Sequence, residues 1–183
     1  FDGDAGSPAA APTVKVVNLS VGDLLKPFDT ELSPWARLLD WLSSKYQVLF
    51  VVSAGNVSAQ LTLPVPRGTL STLSADARQR LTVPALVADS VGRRVLTPGE
   101  SINAVTVGAV HADGSTFVQT SDRFDLFPDH GISPYSCIGH GFRRAVKPDI
   151  LLPGGRVLHR ESYTGDPAIT ELQIINTSAA PGH

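Results

Sequence analysis

Residues Val48 to Val52 form an unbroken apolar run, three of the five valine, which ends abruptly in Ser53-Ala54-Gly55-Asn56. Such a run suits a strand covered on both faces, as in a parallel sheet. Val14 to Ser20 (VKVVNLS) and Ala104 to Val110 (AVTVGAV) have the same β-branched, apolar character, and Ile150-Leu151-Leu152 gives a shorter example. Between the first two runs, Ser33-Pro34 supplies a helix cap followed by proline at the first helical position. Trp35, Leu38, Leu39 and Leu42 then recur at helical spacing. The pattern predicts a parallel sheet from strands at 14–20, 48–53, 104–110 and 149–152, with a crossover helix over 34–44 packed on one face.

The remaining segments are less regular. Residues 1–12 mix Gly, Ala, Pro and acidic residues and are expected to be an extended lead-in, with Asp2 and Asp4 as solvated charges. Residues 57–98 are expected to be a surface excursion. It holds an extended Leu63-Pro64-Val65-Pro66, a short helix over 74–81 capped by Ser74, and another over 84–91. Thr97-Pro98-Gly99-Glu100 has capping-box spacing and predicts a tight turn into the third strand. Asp113-Gly114 marks a turn, 119–145 is loop-rich, and further strands are predicted at 157–163 and 171–175.

Length sets the scale: 183 residues make one domain. No apolar run approaches the ~20 residues needed to cross a bilayer, so no membrane contact is expected. A net charge of −2 gives no general attraction to nucleic acid, and Arg93-Arg94 and Arg143-Arg144 are too short to change that. Cys137 is the single cysteine and has no internal partner for a disulfide. The chain starts at Phe1 and contains no methionine, which suggests a piece of something longer. It carries no targeting signal that would fix a compartment.

Chemistry enters at the strand ends, because open parallel sheets bind ligands there. Asn18, Ser20 and Gly22 gather at the first strand's end, and Ser53, Ala54 and Gly55 leave room for another backbone at the second. Asn56 offers an amide that can meet a developing negative charge. His130 and His140, with Asp129 and Cys137, fit no standard zinc spacing.

Five blocks, in order, resemble the subtilisin-like serine proteases (subtilases, peptidase S8 family): VVNLSVG at 16–22, VVSAGN at 51–56, NAVTVGAV at 103–110, YSCIGHGFRRAVKPDILLPGG at 135–155 and NTSAAP at 176–181. The resemblance implies an α/β fold, a doubly wound parallel sheet with flanking helices, present as a partial domain over 1–183. It implies hydrolysis of peptide bonds through a serine acyl-enzyme, with Ser178 as nucleophile and Asn56 as side-chain donor of the oxyanion hole. In subtilisin itself, losing the corresponding asparagine costs about 2.7–4 kcal/mol of transition-state stabilisation. An extended peptide or protein substrate is expected to lie between Ser20-Val21-Gly22 and Ser53-Ala54-Gly55. No cofactor is implied, structural calcium is left open, and 57–98 offers a place for a partner to dock.

Departures accompany the match. Asn176 stands before Thr177-Ser178 where the family usually has glycine, Ala179 follows, and Pro181 comes one position early. The family's aspartate and histidine blocks precede the segment that VVNLSVG matches, and residues 1–15 resemble neither. His111, His130, His140, His159 and His183 all come later, so none inherits the role, and the chain alone is expected to be inactive. The competing expectation is a non-catalytic peptide- or partner-binding module on a degenerate protease scaffold. Dinucleotide binding lacks support, because Gly139-His140-Gly141 has no third glycine, and no Gly-x-Ser-x-Gly elbow marks an α/β-hydrolase.

Overall fold

The computed structural model describes residues 2–3, 6–57, 60–112, 123–127, 131–163 and 165–175. In chain order the elements are β1 (Val16–Leu19), β2 (Asp23–Pro27), α1 (Pro34–Tyr46), β3 (Leu49–Ser53), β4 (Leu61–Leu63), α2 (Thr69–Thr72), α3 (Ala75–Ala88), β5 (Leu96–Thr97) and β6 (Val105–His111). They continue with β7 (Phe124–Asp125), β8 (Gly131–Ile132), β9 (Gly139–His140), a 3-10 turn (Phe142–Arg144), β10 (Val146–Lys147), β11 (Ile150–Pro153), β12 (Leu158–Glu161) and β13 (Thr170–Ile175). The chain divides into two compact units. The first comprises Phe1–Gly55, Arg94–Gly108 and Cys137–Ile150, and the second Asn56–Arg93, Ala109–Ser136 and Leu151–His183.

The first unit is built on the parallel strands predicted from the apolar runs. Val16 to Leu19 pair in register with Leu49 to Val52, and Val51 to Ser53 pair with Val105 to Val107. The strand order is β1-β3-β6-β11. Helix α1 starts where Ser33 Oγ accepts a hydrogen bond from Ala36 N at 3.0 Å, with Pro34 inside the first turn, and ends at Gln47 in a left-handed conformation. Leu39 packs with Val48, Phe50, Val52 and Ala104, and the burial of each of the larger four is worth roughly 1.5–3 kcal/mol.

Which helix face turns inward differs from expectation. Ala36 and Leu39 are buried, whereas Trp35, Leu38 and Trp41 are exposed. Trp41 meets Tyr46 edge-on, and Lys45 Nζ lies 4.9 Å and 4.7 Å from their ring centroids. Lys45 Nζ and Tyr46 Oη also donate to Asp2 Oδ2, so the lead-in has an anchor at its start while Asp4 lies outside the described residues. In β3 only alternate residues, Phe50 and Val52, are fully buried, and Leu49 is exposed. The strand is therefore covered more fully on one face than its unbroken apolar run suggested.

The second unit is mostly antiparallel. Its four-stranded sheet has the order β4-β13-β12-β7, with Thr170 to Leu172 against Leu63 to Leu61 and Leu158 to Glu161 against Ile175 to Leu172. Leu61, Leu63, Leu70, Leu86, Phe124, Leu126, Phe127 and Leu172 form one buried cluster. This corrects the expectation for 57–98: the segment contributes β4, the edge strand paired with β13, and four core leucines, and it is not a surface excursion. The two helices predicted at 74–81 and 84–91 are one, α3, which runs through Pro84. Arg78 on α3 is buried because its guanidinium donates to Leu73 O and, at 2.8 Å, to Asp125 O. The Asp113-Gly114 turn and the pair Asp129 and His130 lie outside the described residues.

Candidate active site

Beyond the last β1–β3 pair the two chains carry Ser20-Val21-Gly22 and Ser53-Ala54-Gly55, and the structure brings these six residues into one neighbourhood of the first unit. Ser20, Val21 and Gly22 are exposed, while Ala54 and Gly55 are buried. Ser53 Oγ accepts a hydrogen bond from Gly55 N at 3.0 Å, and Gly55 takes a φ of 99°, which a side chain would strain. An open gap one strand wide was expected here, and the structure differs. The chain's own β5 lies alongside, with Leu96 N donating to Ala54 O at 2.9 Å and Asp23 paired with Thr97. Leu96 was not singled out by its sequence context; Val95-Leu96-Thr97 reads as a loop approach to a proline turn.

Asn56, the next residue in the chain, belongs to the second unit. It is exposed, and its backbone is fixed by a bridge to Ser136 and by a hydrogen bond from Val57 N to Tyr135 O at 2.8 Å. Ser136 Oγ in turn accepts from Ala109 N at 3.1 Å, tying this stretch to the distal part of β6. Ser178 and the whole of 176–183, His183 included, lie outside the described residues. Strand β13, which ends at Ile175, is the last described element before that serine.

A model of the subtilase family matches residues 2–182. The chain belongs to the subtilase family. It is also similar to an uncharacterized protein, y4bN, from Sinorhizobium fredii (strain NBRC 101917 / NGR234), at 24% identity over 163 residues. That match covers 87% of this chain and 34% of the relative, so the chain spans about a third of the length of the curated protein it matches. The mixed α/β architecture with a parallel β1-β3-β6 core agrees with a subtilase fold.

Within this subtilase chain two histidines are structural. His111 is fully buried, its Nε2 lies 2.7 Å from Asp125 Oδ1, and its Nδ1 accepts from Val157 N at 3.4 Å. With Nε2 facing Asp125 and Nδ1 facing Val157 N, neither ring nitrogen is left for a serine. Burial pushes the Asp125 carboxyl upward, but hydrogen bonds from His111 and Arg156 outweigh it and hold it below the ordinary carboxylate range. His159 is buried beside this group, and its pKa is pushed down to about 3, first by burial and then by the neighbouring His111, with Arg93 adding to the effect and Asp125 opposing it. His140 is exposed on β9.

Lys147 is buried in the first unit, where its Nζ donates to Asp149 Oδ2 at 2.7 Å, Thr106 Oγ1 at 3.0 Å and Ala104 O at 3.3 Å. Asp149 Oδ2 also accepts from Thr106 N at 2.7 Å. Partial burial pushes this carboxyl upward, and the Lys147 and Thr106 hydrogen bonds carry it below its ordinary value. These contacts clamp the segment before β11 to β6. Glu100 turns its carboxylate inward, accepting from Ser33 N at 3.1 Å and Thr97 Oγ1 at 3.3 Å instead of capping a helix. Among the described residues no group of three His, Cys, Asp or Glu side chains is placed to hold a metal ion, and no helix is long and apolar enough to cross a membrane.

Proposed function

We propose that the protein is a serine endopeptidase of the subtilisin type, in which Ser178 attacks the scissile carbonyl and Asn56 donates to the resulting oxyanion. The observation that carries this reading is Asn56 itself, exposed immediately beyond β3 on a backbone fixed at Ser136 and Tyr135. A donor that stabilises a transition state must be held in place beforehand. Neither His111, which is fully engaged, nor His159, which is buried and resists protonation, is placed to serve as the base. An extended peptide pairs along the exposed Ser20-Val21-Gly22 edge, while β5 and Leu96 occupy the side toward Ala54 and Gly55. The reaction calls for no cofactor.

Fluorophosphonate labelling tests this reading. The full-length protein labels and cleaves peptides, Ser178→Ala abolishes both, and the 183-residue chain alone labels negligibly. Asn56→Ala in the full-length protein lowers kcat by about 10²–10³ with KM nearly unchanged, because the amide meets charge that exists only in the transition state. One observation favours the second reading, a non-catalytic binding module: Leu96 already occupies the space beside Gly55. Absence of Ser178-dependent labelling in the full-length protein would select that alternative.

A further inference from the structure

We propose that the hairpin formed by β9 and β10 is a docking point for an acidic segment of a protein, which Arg143 and Arg144 hold by its carboxylates. The proposal stands apart from the peptidase reading, since it concerns a surface of the first unit to which no catalytic step is assigned. Gly139 pairs with Lys147 and His140 with Val146. Between the two strands Gly141 N donates to Ala145 O at 2.6 Å, Arg144 N to Gly141 O at 3.1 Å and Ala145 N to Phe142 O at 3.1 Å. The tip is therefore a tight turn with Arg143 and Arg144 as its two central residues.

Both arginines take positive φ, 53° and 64°. Asparagine and glycine enter a turn of this hand readily, whereas an ordinary side chain there sets its Cβ against the following carbonyl. Two arginines thus hold a position that Asn-Gly would close at lower cost, and local strain of this kind is characteristic of functional positions. What they offer in return is charge. Both are exposed. Arg67, Arg78, Arg93, Arg94 and Arg156 each donate to a carbonyl or carboxylate of the chain. Among the described residues the guanidinium groups of Arg143 and Arg144 have no such partner. Arg143 lies over the Phe142 ring, 5.4 Å from its centroid, a contact that restricts the side chain without using its N–H donors.

Lys147, the other cation of the hairpin, spends its charge inward on Asp149, so the outward charge is that of the two arginines. Planar guanidinium groups match carboxylates two bonds at a time. Val146, 74% exposed, adds an apolar contact for a side chain between the partner's carboxylates. Two cations are too few for a nucleic-acid backbone, which is held by many phosphate contacts at once.

The test uses the full-length protein with Ser178→Ala, so that no probe is cleaved, and the fluorescence anisotropy of a fluorescein-labelled peptide with paired glutamates. Its glutamine counterpart, its phosphoserine counterpart and an oligothymidylate of equal charge are measured alongside. The glutamate peptide is expected to bind best, and salt to weaken it. Arg143→Gln with Arg144→Gln removes the charge and keeps the strain, and should lower affinity for the glutamate peptide by about tenfold, the upper end for two exposed ion pairs. Arg143→Lys with Arg144→Lys should retain part of the affinity, because a point charge remains without the fork. Arg143→Asn with Arg144→Gly should weaken binding as the glutamines do while raising the urea midpoint of unfolding, which a purely structural role for the arginines would lower.

Equal binding of the glutamate and glutamine peptides, or unchanged affinity after the glutamine substitutions, overturns the proposal. Tighter binding of the phosphoserine peptide or the oligothymidylate overturns the acidic segment as occupant and gives the tip to phosphate. A urea midpoint lowered by Arg143→Asn with Arg144→Gly places the arginines in the fold itself and overturns it too. Labelling of Ser178 is read separately and is untouched by any of these results.

Discussion

Replacing His159 with leucine should remove an acid sensitivity built into the second unit. His159 is 1% exposed, and its pKa is pushed to about 3 from an unfolded value of 6.5. Because the folded value is the lower one, the unfolded chain binds the proton first, and stability falls as pH drops from about 6.5 toward 3. The full separation, about 3.5 units, corresponds to about 5 kcal/mol, of which about 2 kcal/mol is lost between pH 7 and pH 5. The groups that face the ring are His111, Asp125 and Arg93, and their charges act in opposing directions. Urea unfolding of the wild type and His159→Leu at pH 7 and pH 5 measures the difference. The variant should gain about 2 kcal/mol on the wild type over that interval, whatever its stability at pH 7. Unfolding free energies that fall in parallel would refute the reasoning.

Gly55→Ala should cost about 2–4 kcal/mol in denaturant unfolding, since it forces a side chain into a positive φ and against Leu96, and Leu96→Ala should recover part of that loss. Lys147→Ala should cost about 1–2 kcal/mol by the same measurement, because the buried Thr106 hydroxyl and the exposed Asp149 carboxylate lose their shared donor. Ser33→Ala should cost about 1 kcal/mol by removing the cap bond to Ala36 N, with helix α1 losing amide-exchange protection first at its start.

The parts of the fold legible in sequence were those whose signal is local. The apolar runs at 16–19, 49–53 and 105–111 and the Ser33-Pro34 helix start are fixed by composition and spacing, and their parallel pairing follows from crossover length. What was not legible depends on partners far along the chain. Strands β5, β7, β8, β9 and β10 are two residues each and exist only because another segment lies beside them. Trp35 and Leu38 share the helical spacing of Leu39, yet α1 turns the small Ala36 inward beside Leu39 and leaves those two exposed. The site divides the same way. Asn56 and the glycines stood out because small residues end an apolar strand, whereas Leu96 gains its meaning only from Gly22 and Gly55, 74 and 41 positions earlier.

Strand β13 lies between β4 and β12, with Leu172 fully buried in the cluster that Leu61 and Leu63 complete. The segment 57–98 therefore cannot be trimmed as though it were a loop. Excision would strip β13 of one neighbour and leave a row of unpaired amides and carbonyls beside an apolar face, a template for joining one molecule to the next. A shortened form should come out of expression as aggregate, and the loss of activity that followed would say nothing about catalysis.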